Sequence, residues 1–394
     1  MPELATIQKL LREAGLGGWL LYDFHGMNPI ARRVAGLPEQ GVFSRRWACW
    51  IPAQGDVVWI IPRLEAGQFE PSIPGQVLTY VGWRDWLERL AAVLPREAPV
   101  AMEYSPSGAI PYVSRVDAGT VEQVRSLGAQ VVSSADLVQA VEARWSDVQL
   151  AGHRASAAAL MQIKDGAFDL IREALGEGRL IHEHEVQAYI VQRCEAEGLT
   201  GAGAIVGVNA NSSNPHYFPS PERPVPIHRG DWVLIDLWAR QAGSPDAVYA
   251  DITWVAYAGE HPPQRCQEIF DLVRAARDAA VRFVQDGVRA GREVFGYQVD
   301  DVARGVIQEA GYGEYFFHRT GHSLGVQGHG NGVNIDNLET QDRRRLIPGI
   351  AFSIEPGIYL PEFGVRLEID MYVGEGEAEV TTLPLQDEIV RLVG

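Results

Sequence analysis

Two acidic stretches near the end of the chain, residues 353–359 (SIEPGIY) and 364–370 (GVRLEID), decide how this sequence is interpreted. The residues between them, 360–363 (LPEF), are typical of a turn, so the sequence predicts two strands of one hairpin. Each strand carries a glutamate, Glu355 or Glu368, within an apolar sequence. A buried carboxylate is costly unless it is paired, hydrogen-bonded or bound to a metal. The two strands therefore predict a shared cationic partner.

A second pair of acidic strands is expected upstream, at residues 232–238 (WVLIDLW) and 248–255 (VYADITWV). We expect their aspartates, Asp236 and Asp251, to lie directly opposite each other, because their midpoint falls within the turn-like residues 241–246 (QAGSPD). Two carboxylates this close repel each other unless a cation lies between them. The alternative for either aspartate is that it only caps a turn.

The partner that we infer is a pair of divalent metal ions, with His322 of the segment GHSLG as the single nitrogen ligand. Four carboxylates and one imidazole form an oxygen-rich set that suits Mn, Co, Fe or Zn. Two such ions could share one water between them. Cys49, Cys194 and Cys266 are far apart and lack a CxxC pattern, so we expect buried thiols in a reducing compartment.

Length and charge limit the class of protein. A chain of 394 residues predicts two domains. The chain has 34 Lys and Arg against 51 Asp and Glu, a formal charge of −17, which argues against binding to nucleic acid or to an anionic membrane. The first residues lack a basic and apolar signal, and no apolar run is long enough to span a bilayer. The cytoplasm is the expected location.

The order of predicted elements indicates how the two domains are built. Strands and helices alternate at first, which predicts a small α/β domain at residues 1–140, with its strands covered on both faces. A helix break at residues 145–147 (WSD) lies near the start of the second domain, residues 141–394. There, helices, a loop and an acidic hairpin occur twice. This repetition predicts two related halves that pack about a pseudo-two-fold axis and share one sheet.

The acidic motifs, taken together, resemble the signature of the pita-bread metallopeptidases. That family contains methionine aminopeptidases, proline-specific aminopeptidases, Xaa-Pro dipeptidases (prolidases) and the metal-free creatinases. The resemblance implies an α/β creatinase-type N-terminal domain and an α+β catalytic domain, whose two halves surround a curved antiparallel sheet. The matching segments are Asp236, YADIT (249–253), GHSLG (321–325), IEPGIY (354–359) and GVRLE (364–368).

The resemblance also assigns roles to individual residues. Asp251 and Glu368 would bridge two metal ions, and Glu355 would pass a proton from the bridging water towards the leaving nitrogen. His216 and His329 match histidines that contact the substrate carbonyl or the developing oxyanion. The five metal ligands that the resemblance implies are Asp236, Asp251, His322, Glu355 and Glu368.

Several features bear on which branch of the family is matched. Methionine aminopeptidases normally lack the N-terminal domain, and creatinases lose the ligands, so an Xaa-Pro dipeptidase acting on short proline peptides is our first hypothesis. The alternative is an Xaa-Pro aminopeptidase that acts on longer peptides. A non-catalytic binding module with the same fold is a third interpretation. The family's habit of pairing suggests a homodimer, and Mn, Co or Zn are the candidate metals.

A dipeptidase must bind the free carboxylate of its substrate, for which arginine is well suited. Arg366 is the first candidate, because it lies two positions before a predicted ligand. Arg45, Arg46 and the run at residues 343–345 are the others, although a solvated surface patch is the alternative for that run.

The sequence also departs from the family pattern. Fifteen positions separate Asp236 from Asp251, which is longer than usual, and Asp246 lies between them as a competing ligand. Trp254 stands where the family often has arginine, and no acidic residue adjoins His329. We expect these differences to affect substrate preference more than metal binding.

Overall fold

The computed structural model describes residues 4–38, 41, 43–69 and 74–393. The chain divides into two compact units, Met1–Glu142 and Ala143–Gly394. The first three residues, which entered the prediction about targeting, lie outside the described residues. None of the helices in the described part of the chain combines the length and apolar character that crossing a membrane requires.

The first unit is an α/β domain built on a six-stranded mixed sheet with the order β4-β3-β2-β1-β5-β6. The strands are β1 (Gly18–Asp23), β2 (Trp47–Pro52), β3 (Val58–Pro62), β4 (Gln76–Tyr80), β5 (Pro99–Met102) and β6 (Gln130–Ser133). The helices are α1 (Leu4–Glu13), α2 (Pro29–Val34), α3 (Trp83–Val93), α4 (Ala118–Ser126) and α5 (Ala135–Val138).

Both faces of this sheet are covered, as predicted. Alternate residues of a strand point to opposite faces, and in β1 they enter two different hydrophobic cores. Trp19 and Leu21 belong to one core, whereas Leu20 and Tyr22 belong to the other. The α/β class of the first unit is therefore confirmed, although helix α2 and strand β4 were not predicted.

The second unit contains two helix-and-hairpin halves. The elements of the first half are α6 (Asp147–Glu177), α7 (Glu183–Ala196), β7 (Leu199–Val208), β8 (Trp232–Gln241) and β9 (Ala250–Tyr257). Those of the second half are α8 (Gln264–Arg289), α9 (Gly296–Glu309), β10 (Ala351–Ile354), β11 (Gly357–Tyr359), β12 (Gly364–Arg366), β13 (Ile369–Val373), β14 (Ala378–Val380) and β15 (Val390–Arg391).

Each pair of helices packs in its own core, and strands β8 and β9 contribute side chains to both cores. Helices α6 and α7 contribute to a core with β7, β8 and β9, and helices α8 and α9 to a core with strands β10 to β13. The predicted helix break before α6 is also present. There, the Ser146 hydroxyl accepts from the Gln149 amide and the Gln149 side chain accepts from the Ser146 amide, which forms a capping box.

The second acidic hairpin is confirmed, with an interruption at its glutamates. The pairs Ser353 with Asp370 and Gly357 with Arg366 have the same register, so β10 to β13 are segments of one hairpin. Between these segments, the backbone of Glu368 pairs with that of Thr253 in β9 through two hydrogen bonds of 3.2 and 3.4 Å. This bridge joins the hairpin of one half to the hairpin of the other.

The predicted register of the first acidic hairpin is wrong by two residues. Asp236 lies opposite Thr253, and Asp251 lies opposite Trp238. The backbone of Tyr249 does not extend β9, because its N–H donates to Gly325 and its carbonyl meets a ring nitrogen of His153. A shift of two residues keeps both aspartates on the same face, as diagonal rather than direct neighbours.

A buried carboxylate in the first unit leads to a prediction about pH. Glu103 is fully buried and accepts hydrogen bonds from the side chains of Trp19, Asn28 and Ser134. Burial raises the pKa of Glu103 from 4.5 to about 7. The folded chain therefore retains a proton that the unfolded chain releases, and its stability should fall as the pH rises from 4.5 to 7, by about 3 kcal/mol in all.

Urea unfolding of the full chain between pH 5 and pH 8, followed by tryptophan fluorescence, measures this effect. Glutamine does not titrate, so Glu103→Gln should lack the pH dependence that Glu103 gives to the free energy of unfolding. The difference in unfolding free energy between the variant and the wild type should therefore change between pH 5 and pH 8. Glu97→Gln, at an exposed position, is the matched control. Parallel pH profiles for the wild type and Glu103→Gln would contradict the prediction.

Candidate metal centre

Three of the predicted ligands meet between the two acidic hairpins. Ligand atoms of Asp251, His322 and Glu368 lie within 4.8 Å of one another. His322 Nε2 is 3.9 Å from Asp251 Oδ2 and 4.0 Å from Glu368 Oε1. Glu355 joins them, with its Oε1 atom 3.5 Å from the same nitrogen. Separations of this size leave room for a cation between the side chains.

The loop that carries His322 is held tightly against the second hairpin. The His322 carbonyl accepts from the Ser353 amide at 2.9 Å, and the Thr320 carbonyl accepts from the Glu355 amide at 2.7 Å. A Cβ atom at Gly321 would lie 1.9 Å from the Ser353 carbonyl oxygen, so only glycine allows this approach. The close contact brings the imidazole and the Glu355 carboxylate to the same site.

Asp236 occupies the side of the site nearest Arg366. Its Oδ2 atom accepts a hydrogen bond from Arg366 Nη2 at 2.5 Å. The second oxygen of the Asp236 carboxylate, Oδ1, is buried and has no hydrogen-bond partner among the described residues. The same is true of Oδ1 of Asp251. Buried carboxylate oxygens without a donor are costly. They are suitable ligands for divalent ions, so this set of side chains fits a metal centre.

The electrostatics of the site also fit the binding of cations. Burial, together with the neighbouring carboxylates, raises the pKa of Asp251 and of Glu368 well above their ordinary values. The pKa of His322 lies well below its ordinary value, mainly because the ring is buried and, to a lesser extent, because His329 and Arg319 are nearby. His322 is therefore a neutral imidazole, which is the form that binds metals. Bound cations would relieve the repulsion among the carboxylates.

One of the two predicted substrate histidines lies beside a predicted ligand. The ring centroids of His329 and His322 are 4.1 Å apart. Burial, Arg319 and then His216 lower the pKa of His329 to about 4, and His216 itself is exposed in the loop after β7. The structure thus places His329 against His322, and His216 within electrostatic reach of His329.

Arg366 was predicted to bind the substrate carboxylate, but each of its three nitrogens already donates to a side chain of the site. The guanidinium is almost completely buried and donates to Asp236, to Thr253 Oγ1 at 3.0 Å and to the Tyr359 hydroxyl at 3.3 Å. This geometry favours a role in holding Asp236 over the predicted role in binding the substrate.

Several of the other predicted arginines have protein partners as well. Arg344 forms a buried ion pair with Asp342 at 2.6 Å, so residues 343–345 are not one solvated patch. Arg345 pairs with Glu293 at the surface, and Arg45 pairs with Glu65 in the first unit.

Three residues of the site were missed by sequence reasoning. Arg319 places Nη2 3.4 Å from His329 Nδ1. Thr253 donates from its hydroxyl to Glu368 at 2.8 Å, and Asp370 accepts from the Asp251 amide at 2.9 Å. The sequence signal was their position in or beside a predicted motif, since Thr253 and Asp370 end two of the motifs and Arg319 lies two residues before another, but such a position does not specify a contact.

Comparison with known proteins identifies the family. The model for metallopeptidase family M24 matches residues 152–375, more than half of the chain. The chain belongs to this family. M24 membership implies that the protein uses divalent metal ions, and the side chains described above are the candidate ligands. It also confirms the predicted resemblance and the pita-bread fold of the second unit.

Of three proteins that this M24 protein resembles, two match nearly its whole length and one matches about half of it. It is 30% identical to the probable dipeptidase PepE of Mycobacterium bovis over an alignment of 392 residues that covers 97% of this chain and 94% of the relative. It is 34% identical to the Xaa-Pro dipeptidase of Lactobacillus delbrueckii subsp. lactis over 208 residues, which are 52% and 51% of the two chains. The crystal structure of dipeptidase PepE from Mycobacterium ulcerans matches with a TM-score of 0.71 at 24% identity, over 99% and 97% of the two chains.

The site predicts how metal binding should respond to substitution. Asp251→Asn should weaken Mn(II) binding to the metal-stripped protein by more than about 100-fold, because a carboxylate at the centre is lost. Mn(II) should also raise the thermal midpoint of the wild type, since it binds only the folded chain. Binding should weaken at lower pH, because protons compete for the carboxylates and the imidazole.

Isothermal titration calorimetry and thermal unfolding measure both effects. The matched control is Asp246→Asn, which removes the competing aspartate from the exposed part of the same connection. Equal losses of Mn(II) affinity in the two variants would refute the assignment of Asp251 as the ligand.

Proposed function

We propose that this protein is an Xaa-Pro dipeptidase, a prolidase, that works with two divalent metal ions. The observation that carries the proposal is the convergence of Asp251, His322, Glu355 and Glu368 on one buried site, with unpartnered oxygens on Asp236 and Asp251. Relatives named as dipeptidase and Xaa-Pro dipeptidase support the substrate class. Mn, Co and Zn are all compatible with the ligand set.

Proton transfer is assigned to Glu355. When bound, divalent ions polarise a substrate carbonyl and lower the pKa of a water molecule. Glu355 lies at the edge of the ligand cluster, and burial raises its pKa to about 7. A carboxylate in this position can accept a proton from the attacking water and return it to the leaving nitrogen, as peptide hydrolysis requires. Ser353 donates to its Oε1 atom at 3.1 Å and orients the group.

His329 is suited to hydrogen-bond the substrate carbonyl. Its lowered pKa keeps the ring neutral at physiological pH. Since an arginine can only donate, the approach of Arg319 to Nδ1 makes that nitrogen the acceptor. The proton of the neutral ring is then on Nε2, which can donate to a carbonyl oxygen or an oxyanion. His216, on the neighbouring loop, would contact the same part of the substrate.

Hydrolysis of dipeptides tests the proposal. Metal-stripped protein, restored with Mn, Co or Zn, should cleave Ala-Pro, Leu-Pro and Met-Pro, but neither a dipeptide without proline nor a longer Xaa-Pro-Xaa peptide. Preference for the longer peptide would instead identify an Xaa-Pro aminopeptidase. The absence of turnover with every metal would favour the non-catalytic binding module. The homodimer and the cytoplasmic location stay predictions of the sequence.

Glu355→Gln tests the proposed proton transfer. This substitution should reduce kcat by at least about 100-fold, because the amide cannot accept and return the proton. The matched control is Glu362→Gln, at an exposed position in the turn of the same hairpin, which should leave kcat unchanged. An unchanged kcat in Glu355→Gln, measured at saturating metal and substrate, would refute the assigned role.

A further inference from the structure

A buried glutamate of the first half holds the loop that carries His216. Glu183 is the first residue of α7 and is 1% exposed. Its carboxylate accepts from the Val208 amide at 2.7 Å, from Asn211 Nδ2 at 3.0 Å and from the Tyr217 hydroxyl at 2.5 Å. The three donors belong to the end of β7 and the loop after it, so one carboxylate holds this loop at three points.

The same loop is attached to the second acidic hairpin on its other side. The Gly364 amide donates to Ser212 Oγ at 2.8 Å, and the Ser213 hydroxyl donates to the Leu360 carbonyl. A Cβ atom at Gly364 would lie 2.1 Å from the Ser212 carbonyl oxygen, so the two backbones are in close contact. The loop therefore connects the α7 end of one half with the hairpin turn of the other.

His216 depends on these attachments for its position. The backbone amide of His216 donates to Asn214 Oδ1 at 3.0 Å, and the His216 side chain is exposed. The adjacent Tyr217 is the side chain that reaches Glu183. Because a hydrogen bond to a buried carboxylate is stronger than one between neutral groups, Tyr217 is a firm anchor for its neighbour.

We propose that Glu183 is a positioning residue, which holds His216 beside His329 so that both can contact the substrate. The inference rests on the proposed function, because it assigns His216 a role in substrate binding. Glu183 itself lies outside the metal centre, and its carboxylate acts only through the loop. Its removal should therefore impair catalysis without removing metal.

Kinetics with a double-mutant cycle test this role. Glu183→Gln, and independently Tyr217→Phe, should lower kcat/KM for an Xaa-Pro dipeptide by about tenfold or more, while the Mn(II) content stays at the wild-type level. In a His216→Ala background, either substitution should change kcat/KM less than about twofold, because the group that it positions is already absent. The control is Glu185→Gln at the same helix end, where, among the described residues, the carboxylate hydrogen-bonds to His182 rather than to the loop after β7.

Hydrogen exchange provides a readout that does not depend on activity. In Glu183→Gln, amides of residues 208–217 should exchange about tenfold faster than in the wild type, and Glu185→Gln should leave them unchanged. Unchanged amide exchange of residues 208–217 in Glu183→Gln would overturn the role of Glu183. Its role would also be overturned if the effects of Glu183→Gln and His216→Ala on kcat/KM were fully additive in an enzyme whose wild type is active. A wild-type protein without activity on any Xaa-Pro peptide would instead refute the proposed function.

Discussion

The cost of burying several carboxylates in one place is the constraint on which the second unit depends. Asp236, Asp251, Glu355 and Glu368 lie on strands or beside strands that are otherwise apolar, and Asp370 adds a fifth acid close behind them. Two arginines, Arg366 and Arg319, act on this cluster and cannot neutralise so many charges. Bound cations would stabilise the charged form of the site, so the same side chains that would use a metal in catalysis also favour its binding.

The two halves of the unit meet around this site through directed polar contacts. The backbone of Thr253 pairs with Glu368, its hydroxyl also bonds the Glu368 carboxylate, and Arg366 of the second half reaches Asp236 of the first. The loop held by Glu183 adds a further connection. Each contact joins residues that are more than a hundred positions apart in the chain, or anchors a loop that makes such a contact. The geometry of the centre is thus a property of the assembled halves.

Sequence reasoning predicted the regular elements well where local signals were strong. The helix break at residues 145–147 and the hairpin around residues 360–363 were anticipated, because each depends on residues that are close in the chain. Strand β4 was missed, since its short, half-exposed sequence QVLTY at the edge of the sheet lacks a clear alternating pattern. The register of β8 and β9 was missed by two residues, because the backbone groups of Tyr249 form hydrogen bonds with Gly325 and His153 instead of with the sheet.

The sequence by itself determined the chemistry of the site: two acidic hairpins, one histidine in a glycine-rich segment, and a two-domain chain. These follow from residue types and short-range patterns, which need no knowledge of distant contacts. Only the tertiary structure decided that Arg366 pairs with Asp236, that Arg319 faces His329, and that Glu183 holds the loop of His216. The physical reason is that a long side chain can reach many partners, and only the packing of the two halves selects one of them.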